Sequence, residues 1–494
     1  MHRSDYIINI KKVKMSKRHV KRSFVQGVCV GVFACVSPVI AIAQSSQIIT
    51  PSDLKLDNGY SNQGLIDIIE KSFDYHPDLL RVRAELDILK EDISLAKSAY
   101  RPQLTAQGSL SASDRNSLLQ NGNEFSQETS PQELSLQFSQ TLYTGGRRAL
   151  NKNAAKVSYE AAKAEYEARA ISVAEEIIDS YVSLIEAEHA FQILSDSVNS
   201  LKQLEHVITS RQQAGDSSLT DIAQTTARLA TARAQKSATN AQLIQAREEL
   251  ISISGQLVNS TTVPPQAIEP YNVKVEDSIV LARKKNPRIK SRQLTERAAR
   301  YRLREQKRAW LPTVAIDASA RTIRDSSPTI DEDDDLRVGV NFTMPLYQGG
   351  QGASNIRRAQ AVINSAAFDI DNSLRLANIQ ITNLHSRLHN SREVLRFQQE
   401  NMTANQEAYD GIFAAEKAGL VDIRDVLQAQ QNTLNAELSH SSALNELYEI
   451  RLLLRLYTGK LDLKNVTVGL PDETPVEFTQ SNRLIGYIDQ IIRD

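Results

Sequence analysis

From Leu134 to Leu142 apolar residues alternate with polar ones, with Leu134, Leu136, Phe138 and Leu142 set against Ser135, Gln137, Ser139 and Thr141. A second such run places Val338, Val340, Phe342 and Met344 against Arg337, Gly339, Asn341 and Thr343. A period of two is the mark of a strand with two unlike faces. Each run closes in nearly the same words, Leu142-Tyr143-Thr144-Gly145-Gly146 and Leu346-Tyr347-Gln348-Gly349-Gly350. The paired glycines let the backbone leave strand geometry without a Cβ penalty. Beyond them the apolar positions step by three and four. The first series is Leu150, Ala154, Val157, Ala161, Ala164, Ala168, Ile171, Ala174, Ile178, Tyr181 and Ile185; the second runs from Ile356, Ala359 and Ile363 to Leu384 and Leu388. These are coiled-coil seams filled largely by small residues, which let helices approach closely. At 1.5 Å per residue each such helix is on the order of 100 Å long.

The remainder of the chain repeats with the same regularity. Pro77 and Pro102 are answered by Pro287 and Pro312, 210 residues on; Tyr143, Gly215 and Gly255 are answered by Tyr347, Gly419 and Gly459, 204 residues on. The six-residue loss falls between the two strands of each pair, where a loop absorbs it. The pattern therefore predicts a tandem duplication. The first repeat spans 61–262, with a helix, strands at about 103–111 and 134–142, a long helix 147–213 and a helix 219–253. Residues 263–275, with Pro264 and Pro265, read as a linker. The second repeat spans 276–463, with strands at about 313–321 and 336–346, a long helix 353–417 and a helix 422–456. Residues 111–133 read as a Ser/Asn/Gln-rich loop, 44–60 as an extended segment and 464–494 as a tail.

Composition narrows the class. Aromatic residues are 5% of the chain, with one Trp, which argues against ordinary aromatic-rich globules. The net charge of −1, from 58 basic and 59 acidic residues, offers no field for nucleic acid. Residues 1–43 read as an export signal: a basic region from Lys11 to Arg22, an apolar stretch from Phe24 to Val36, and Ala41-Ile42-Ala43 before Gln44 as the cleavage site. Met15 is an alternative start. A membrane anchor and a lipid-bearing Cys35 are the rival readings of this segment. Pro38 interrupts the first, and Phe33 fits the second poorly. Both cysteines, Cys29 and Cys35, lie in this segment, so cleavage leaves a chain without thiol chemistry. No other stretch offers about 18 consecutive apolar residues. A membrane encounter therefore has to be made by a closed β-barrel. Four strands make no useful barrel alone, and an open edge is forbidden in lipid, so the strands must be shared among copies.

The two Leu-Tyr-x-Gly-Gly stretches, the alternating strands before them, the Pro-x-Leu and Pro-x-Val strand starts and the duplication together resemble the TolC family of outer-membrane channels, over nearly all of the mature chain. The resemblance implies a mainly α fold with a small β part: a long coiled-coil barrel and four transmembrane strands per subunit. It implies a homotrimer in the cell outer membrane with a large periplasmic portion and tail. Such channels dock to a periplasmic adaptor and an inner-membrane transporter, and export small toxic molecules or secreted protein; the sequence does not choose between those cargoes.

The family's periplasmic gate carries over to Gly215/Asp221 and Gly419/Asp425. Asp425 then contributes to an acidic ring, where carboxylates 4 Å apart repel by about 1–4 kcal/mol per pair. A second acid one turn later is replaced here by Gln428. Thr220 and Asp221 match residues that hold the gate shut, but their usual partners align with Glu416 and Val421, which cannot make those bonds. Lys417 and Arg424 are the substitutes at hand.

Each site has a plainer reading. Asp221 and Asp425 suit helix N-termini. Asp331 to Asp335 has the oxygens of a divalent-cation site but reads as the solvated outer loop of the second hairpin. His385 and His389, at i and i+4, lack a third ligand and read as a surface pair. Tyr143 and Tyr347, beside Gly145, Gly146, Gly349 and Gly350, suit anchoring or packing at the strand-to-helix junction. No phosphate loop, zinc-protease or nucleophile motif is present, so neither an enzyme nor a cofactor is expected. The alternative class is a soluble periplasmic coiled-coil adaptor or rod.

Overall fold

A computed structural model describes residues 64–118, 124–255, 271–327 and 330–461, all within the unit Leu56–Asp494. The export signal, the segment 44–60, the tail 464–494 and all but the end of the linker lie outside the described residues.

The first repeat begins with α1 (Leu65–Ser72) and α2 (Pro77–Ser98). Between them His76 adopts extended backbone, as a residue before proline prefers, and its Nδ1 accepts from the Asp78 N–H at 3.3 Å. Strands β1 (Gln103–Leu110), β2 (Ser113–Leu118), β3 (Glu124–Thr129) and β4 (Gln132–Tyr143) follow, then the long α3 (Arg147–Ala214) and α4 (Leu219–Ser254). The second repeat is α5 (Val275–Lys285), α6 (Pro287–Lys307), β5 (Thr313–Ser327), β6 (Ile330–Thr343), α7 (Gln351–Lys417) and α8 (Ile423–Tyr457). Asn286 caps α6 as His76 caps α2, its Oδ1 accepting from the Arg288 N–H at 2.9 Å. The duplication is also written in backbone angles. Left-handed glycines occur as Gly145, Gly146, Gly215 and Gly255, and again 204 residues on as Gly349, Gly350, Gly419 and Gly459.

Strands β1-β4-β5-β6 form one antiparallel sheet, and β2-β3 a separate hairpin. Two expectations are corrected here. Residues 111–133 are not a loop throughout: they contain β2 and β3, whose sequences are almost wholly polar and show no apolar alternation. Residues 331–335 are not a loop either, since β6 begins at Ile330 and pairs Asp335 with Arg321, Asp333 with Ile323 and Glu332 with Arg324. Arginines offset the acids along this strand: Arg324 meets Glu332 at 2.8 Å and Arg337 meets Asp335 at 2.7 Å. The end of β6 falls at Thr343, short of the expected 346.

Each long helix packs against shorter helices. Helix α3 lies along α4, α2, α6 and α8; α7 lies along α8, α6 and α5. The main core sits midway along the helices, where Ile68, Ile69 and Leu79 meet Ile177, Ile178 and Leu184 of α3, Leu250 of α4 and Ile450 and Leu454 of α8. A second cluster lies toward the α3–α4 and α7–α8 turns, joining Leu201, Leu204 and Ile208 to Leu229, Ile423 and Val426.

Candidate channel-forming surfaces

The register sorts the sheet into two faces. Across it run the rows Leu104–Phe138–Ala318–Val338 and Ala106–Leu136–Ala320–Leu336, flanked on β5 and β6 by Ile316–Val340 and Val314–Phe342. The opposite face carries Gln103–Ser139–Asp317–Gly339, Thr105–Gln137–Ser319–Arg337 and Gln107–Ser135–Arg321–Asp335. Leu104, Leu134, Leu136, Leu336, Val338, Val340 and Phe342 are all exposed in the single chain. A soluble sheet buries its apolar face; this one leaves that face exposed in the single chain, while its polar face is laced by Arg321–Glu133 at 2.7 Å and by Asn341 donating to Asp317 at 2.5 Å.

From Val314 to Thr322 the apolar band covers about 26 Å of strand at 3.3 Å per residue, or about 20 Å of height at a 40° tilt. Its far end is closed by Asp334 and the Arg324–Glu332 pair. At the helical end sit Tyr100, Tyr143, Trp310 and Tyr347, all exposed or nearly so. Aromatic residues of this kind settle at membrane interfaces and extend the band toward the ~25 Å of outer-membrane barrels.

The strand-to-helix junction is locked locally. Gly145 has φ +63, and a Cβ there would stand 2.5 Å from the Cβ of Leu311. Arg148 in the first turn of α3 donates to the carbonyls of Ala99 (2.9 Å), Thr141 (2.7 Å) and Leu142 (2.7 Å), with its guanidinium 4.7 Å from the Tyr100 ring centroid. In the second repeat Gly352 takes the place of Arg148, and Trp310 takes that of Tyr100. The indole lies so close that a Cβ on Gly352 would come within 2.7 Å of it. One junction is filled by an arginine on a tyrosine, the other by a tryptophan over a glycine.

At the far end of the helices, Ser218 caps α4. Its Oγ accepts from the Asp221 N–H at 3.1 Å, and Asp221 Oδ2 accepts from the Ser218 N–H at 2.9 Å and the Ser217 hydroxyl at 3.1 Å. The Ser218 N–H chiefly, with the two hydroxyls and the nearby Arg424, holds the Asp221 carboxyl below its usual pKa. Asp221 is thus a capping-box residue. Asp425 holds the matching place in α8, but there Ser218 is replaced by Asp422, whose carboxylate is paired with Arg424 at 2.7 Å. Asp425 remains exposed and makes no hydrogen bond through its side chain among the described residues. Thr220 is exposed, Gln428 donates to Asn432 one turn on at 3.0 Å, and Lys417 lies 4.2 Å over the Phe413 ring. Glu416 does not join Thr220 and Asp221. It accepts instead from Arg211 of α3 at 2.6 Å.

The sequence profile of the outer membrane efflux protein family matches residues 68–256 and 278–460, once for each repeat. The chain belongs to this family. It is 22% identical over 417 residues to the outer membrane efflux protein BepC of Brucella suis, covering 84% of this chain and 90% of that one. To the outer membrane protein TolC of Vibrio cholerae it is 23% identical over 422 residues, covering 83% and 94%. The solved structure of the CmeC outer membrane channel of Campylobacter jejuni superposes with a TM-score of 0.66 at 17% identity, covering 85% of this chain and 88% of that one. The chain shares with this neighbour a mainly helical fold with a small β part.

Sequence reasoning missed Arg148 and Arg211, whose partners are carbonyls and a carboxylate distant in sequence; only their position in the first and last turns of a long helix hinted at a role. The pairing of His385 with His389 as surface residues needs correction. His385 is half-buried, its Nε2 3.0 Å from Ser278 Oγ and its ring edge-on to Tyr271 at 5.7 Å, and burial chiefly, with Arg392, lowers its pKa. His389 shares with it a groove of about 700 Å³ alongside Tyr271, Lys274 and Arg392. Among the described residues no group of three His, Cys, Asp or Glu side chains is placed to hold a metal ion.

Proposed function

We propose that three copies close into a twelve-stranded outer-membrane barrel continued by a periplasmic helical tunnel, through which substrates leave when an adaptor and an inner-membrane transporter dock at the far end. The observation that carries this reading is the sheet: one apolar face, one polar face and two edges, β1 and β6, unpaired in the single chain, which lipid does not tolerate.

The internal repeat says how the edges meet. Within one chain, β4 pairs with β5, and α3 packs on α6 and on α8. Carried forward by one repeat, the same contacts set β6 against β1 of the partner subunit, and α7 against that subunit's α2 and α4. Contacts of this head-to-tail kind generate closed rings. Exposure supports the seam. Ile88 of α2 and Phe368 of α7 are 64% and 74% exposed, while their repeat counterparts Ala298 and Ala164 are 2% and 1% exposed. The polar face then lines the barrel, and Asp425 lies at the narrow end of the tunnel, where its free carboxylate selects for cations.

Membrane fractionation followed by native mass measurement in detergent tests this. A species of three chains extracted only by detergent is expected. A monomer that washes off with salt or carbonate overturns the channel and favours a soluble periplasmic rod. Asp425→Asn is expected to lower the cation-to-anion permeability ratio without changing the oligomer.

A further inference from the structure

Within each chain α3 and α8 pack side by side, and four contacts fix their register. The Tyr457 hydroxyl donates to Glu175, Asp179 feels the charge of Glu449, Glu437 feels that of Asp196, and Leu204 shares a buried cluster with Val426. As the number on α3 rises the number on α8 falls in step, so the helices run antiparallel in one unbroken register. Two of the rungs set acid against acid. Burial first, and then the neighbouring carboxylate, raises the pKa of Asp179 and of Glu437. Such pairs are tolerated where a single chain already holds both helices together.

Advanced by one repeat, α3 becomes α7, α8 becomes α4 of the partner subunit, and the rungs change character. Glu175 with Tyr457 becomes Ile379 with Ile253 of the partner subunit. Asp179 with Glu449 becomes Asn383 with Gln245 of the partner subunit, and Asp196 with Glu437 becomes Glu400 with Arg233 of the partner subunit. A polar pair gives way to an apolar one, two acids to two amides that each donate and accept, and two further acids to an acid and an arginine. In the single chain these positions are left open. Ile379 is 56% exposed, and Asn383, Glu400, Gln245 and Arg233 are exposed as well. Asn383, Gln245 and Arg233 make no side-chain hydrogen bond or ion pair among the described residues, while Glu400 accepts from Arg396 one turn earlier at 3.3 Å.

We propose that these three rungs of α7 form a recognition surface whose partner is a second copy of this chain. Ile379 packs on Ile253 of the partner subunit, Asn383 exchanges hydrogen bonds with Gln245 of the partner subunit, and Glu400 pairs with Arg233 of the partner subunit. The inference rests on the ring of three copies and goes beyond it by naming the side chains that set the register between them. The mismatched rungs fall inside the subunit, where the chain itself holds the helices; the complementary ones fall where two separate chains must find each other and the contacts alone must offset the cost of association.

Charge exchange tests it on the full-length chain refolded into detergent, with oligomer read by native mass measurement and helicity by circular dichroism. Glu400→Arg is expected to raise the protein concentration needed for half assembly by about tenfold at low salt, because three seams compound the effect, and the difference is expected to fade above about 0.5 M salt. Glu400→Arg combined with Arg233→Glu is expected to return assembly to within about twofold of the parent, since the pair is then restored in reverse. The second arm is independent of charge. Asn383→Cys with Gln245→Cys, in a chain whose two native cysteines are removed by Cys29→Ser and Cys35→Ser, is expected on oxidation to give linked dimers and trimers on denaturing gels. Parental assembly by Glu400→Arg, a double exchange no better than the single one, or a cysteine pair that leaves single chains in an intact oligomer overturns the pairing. A parent chain that stays monomeric at every concentration instead overturns the ring reading beneath it.

Discussion

The sheet's division into two faces makes a quantitative demand on Val338. It stands in the row Leu104–Phe138–Ala318–Val338, with Val340 and Phe342 nearer the helices and Leu336 and Asp334 nearer the charged rim. This is the middle of the apolar band. In the proposed barrel a lysine there would face lipid at its deepest point, which costs about 2–4 kcal/mol. At 1.4 kcal/mol per decade that is a loss of roughly 30- to 700-fold in each subunit's insertion equilibrium. The control is Ser139→Lys, which turns to the other face and stands opposite Asp317. Its effect is expected within about 0.5 kcal/mol, with the new cation beside a carboxylate rather than a hydrocarbon. Urea titration of folding into liposomes, read by the gel mobility of the unheated oligomer, measures both. If Val338→Lys folds as well as Ser139→Lys, the apolar face does not meet lipid and the assignment of faces is wrong.

Three further outcomes follow from local geometry. Phe368→Ala removes a large apolar side chain from the proposed seam and is expected to weaken assembly by about 1.5–3 kcal/mol, seen as a shift from trimer to monomer in native mass spectra with helicity unchanged. Gly145→Ala combines a left-handed backbone with the close Leu311 contact and is expected to lower thermal stability more than Gly349→Ala, where the same strain meets open space; the difference in melting temperature measures the contact. Asp179 on α3 has its pKa raised to about 6, by burial first and then by Glu449 and Glu175. The folded chain thus keeps a proton that the unfolded chain has released, so stability falls as pH rises from about 4 to 6 and then levels off. Asp179→Asn is expected to flatten melting curves over that window and to melt higher than the parent at pH 7.

Much of the architecture was legible because the repeat states it twice. The Leu-Tyr-x-Gly-Gly stretches, the proline-marked helix starts and the left-handed glycines recur at fixed offsets. What escaped is what alternation does not encode. Strands β2 and β3 have no apolar face, and the acidic start of β6 resembles a loop until Arg321, Arg324 and Arg337 are seen beside it. At the tips, Asp221 and Asp425 are candidates through the family resemblance alone. Arg211 meets Glu416 where the ends of α3 and α7 come near each other, and an ion pair between residues 205 positions apart leaves no periodicity behind.

The most direct test of the account is the conductance of the detergent-purified oligomer in a planar bilayer, wild type beside Asp425→Ala, with a divalent cation titrated in. The account predicts discrete, cation-selective steps that divalent cations block, with the block weakened at least tenfold in the variant. A folded, membrane-inserted oligomer through which no current passes under any applied potential would contradict it.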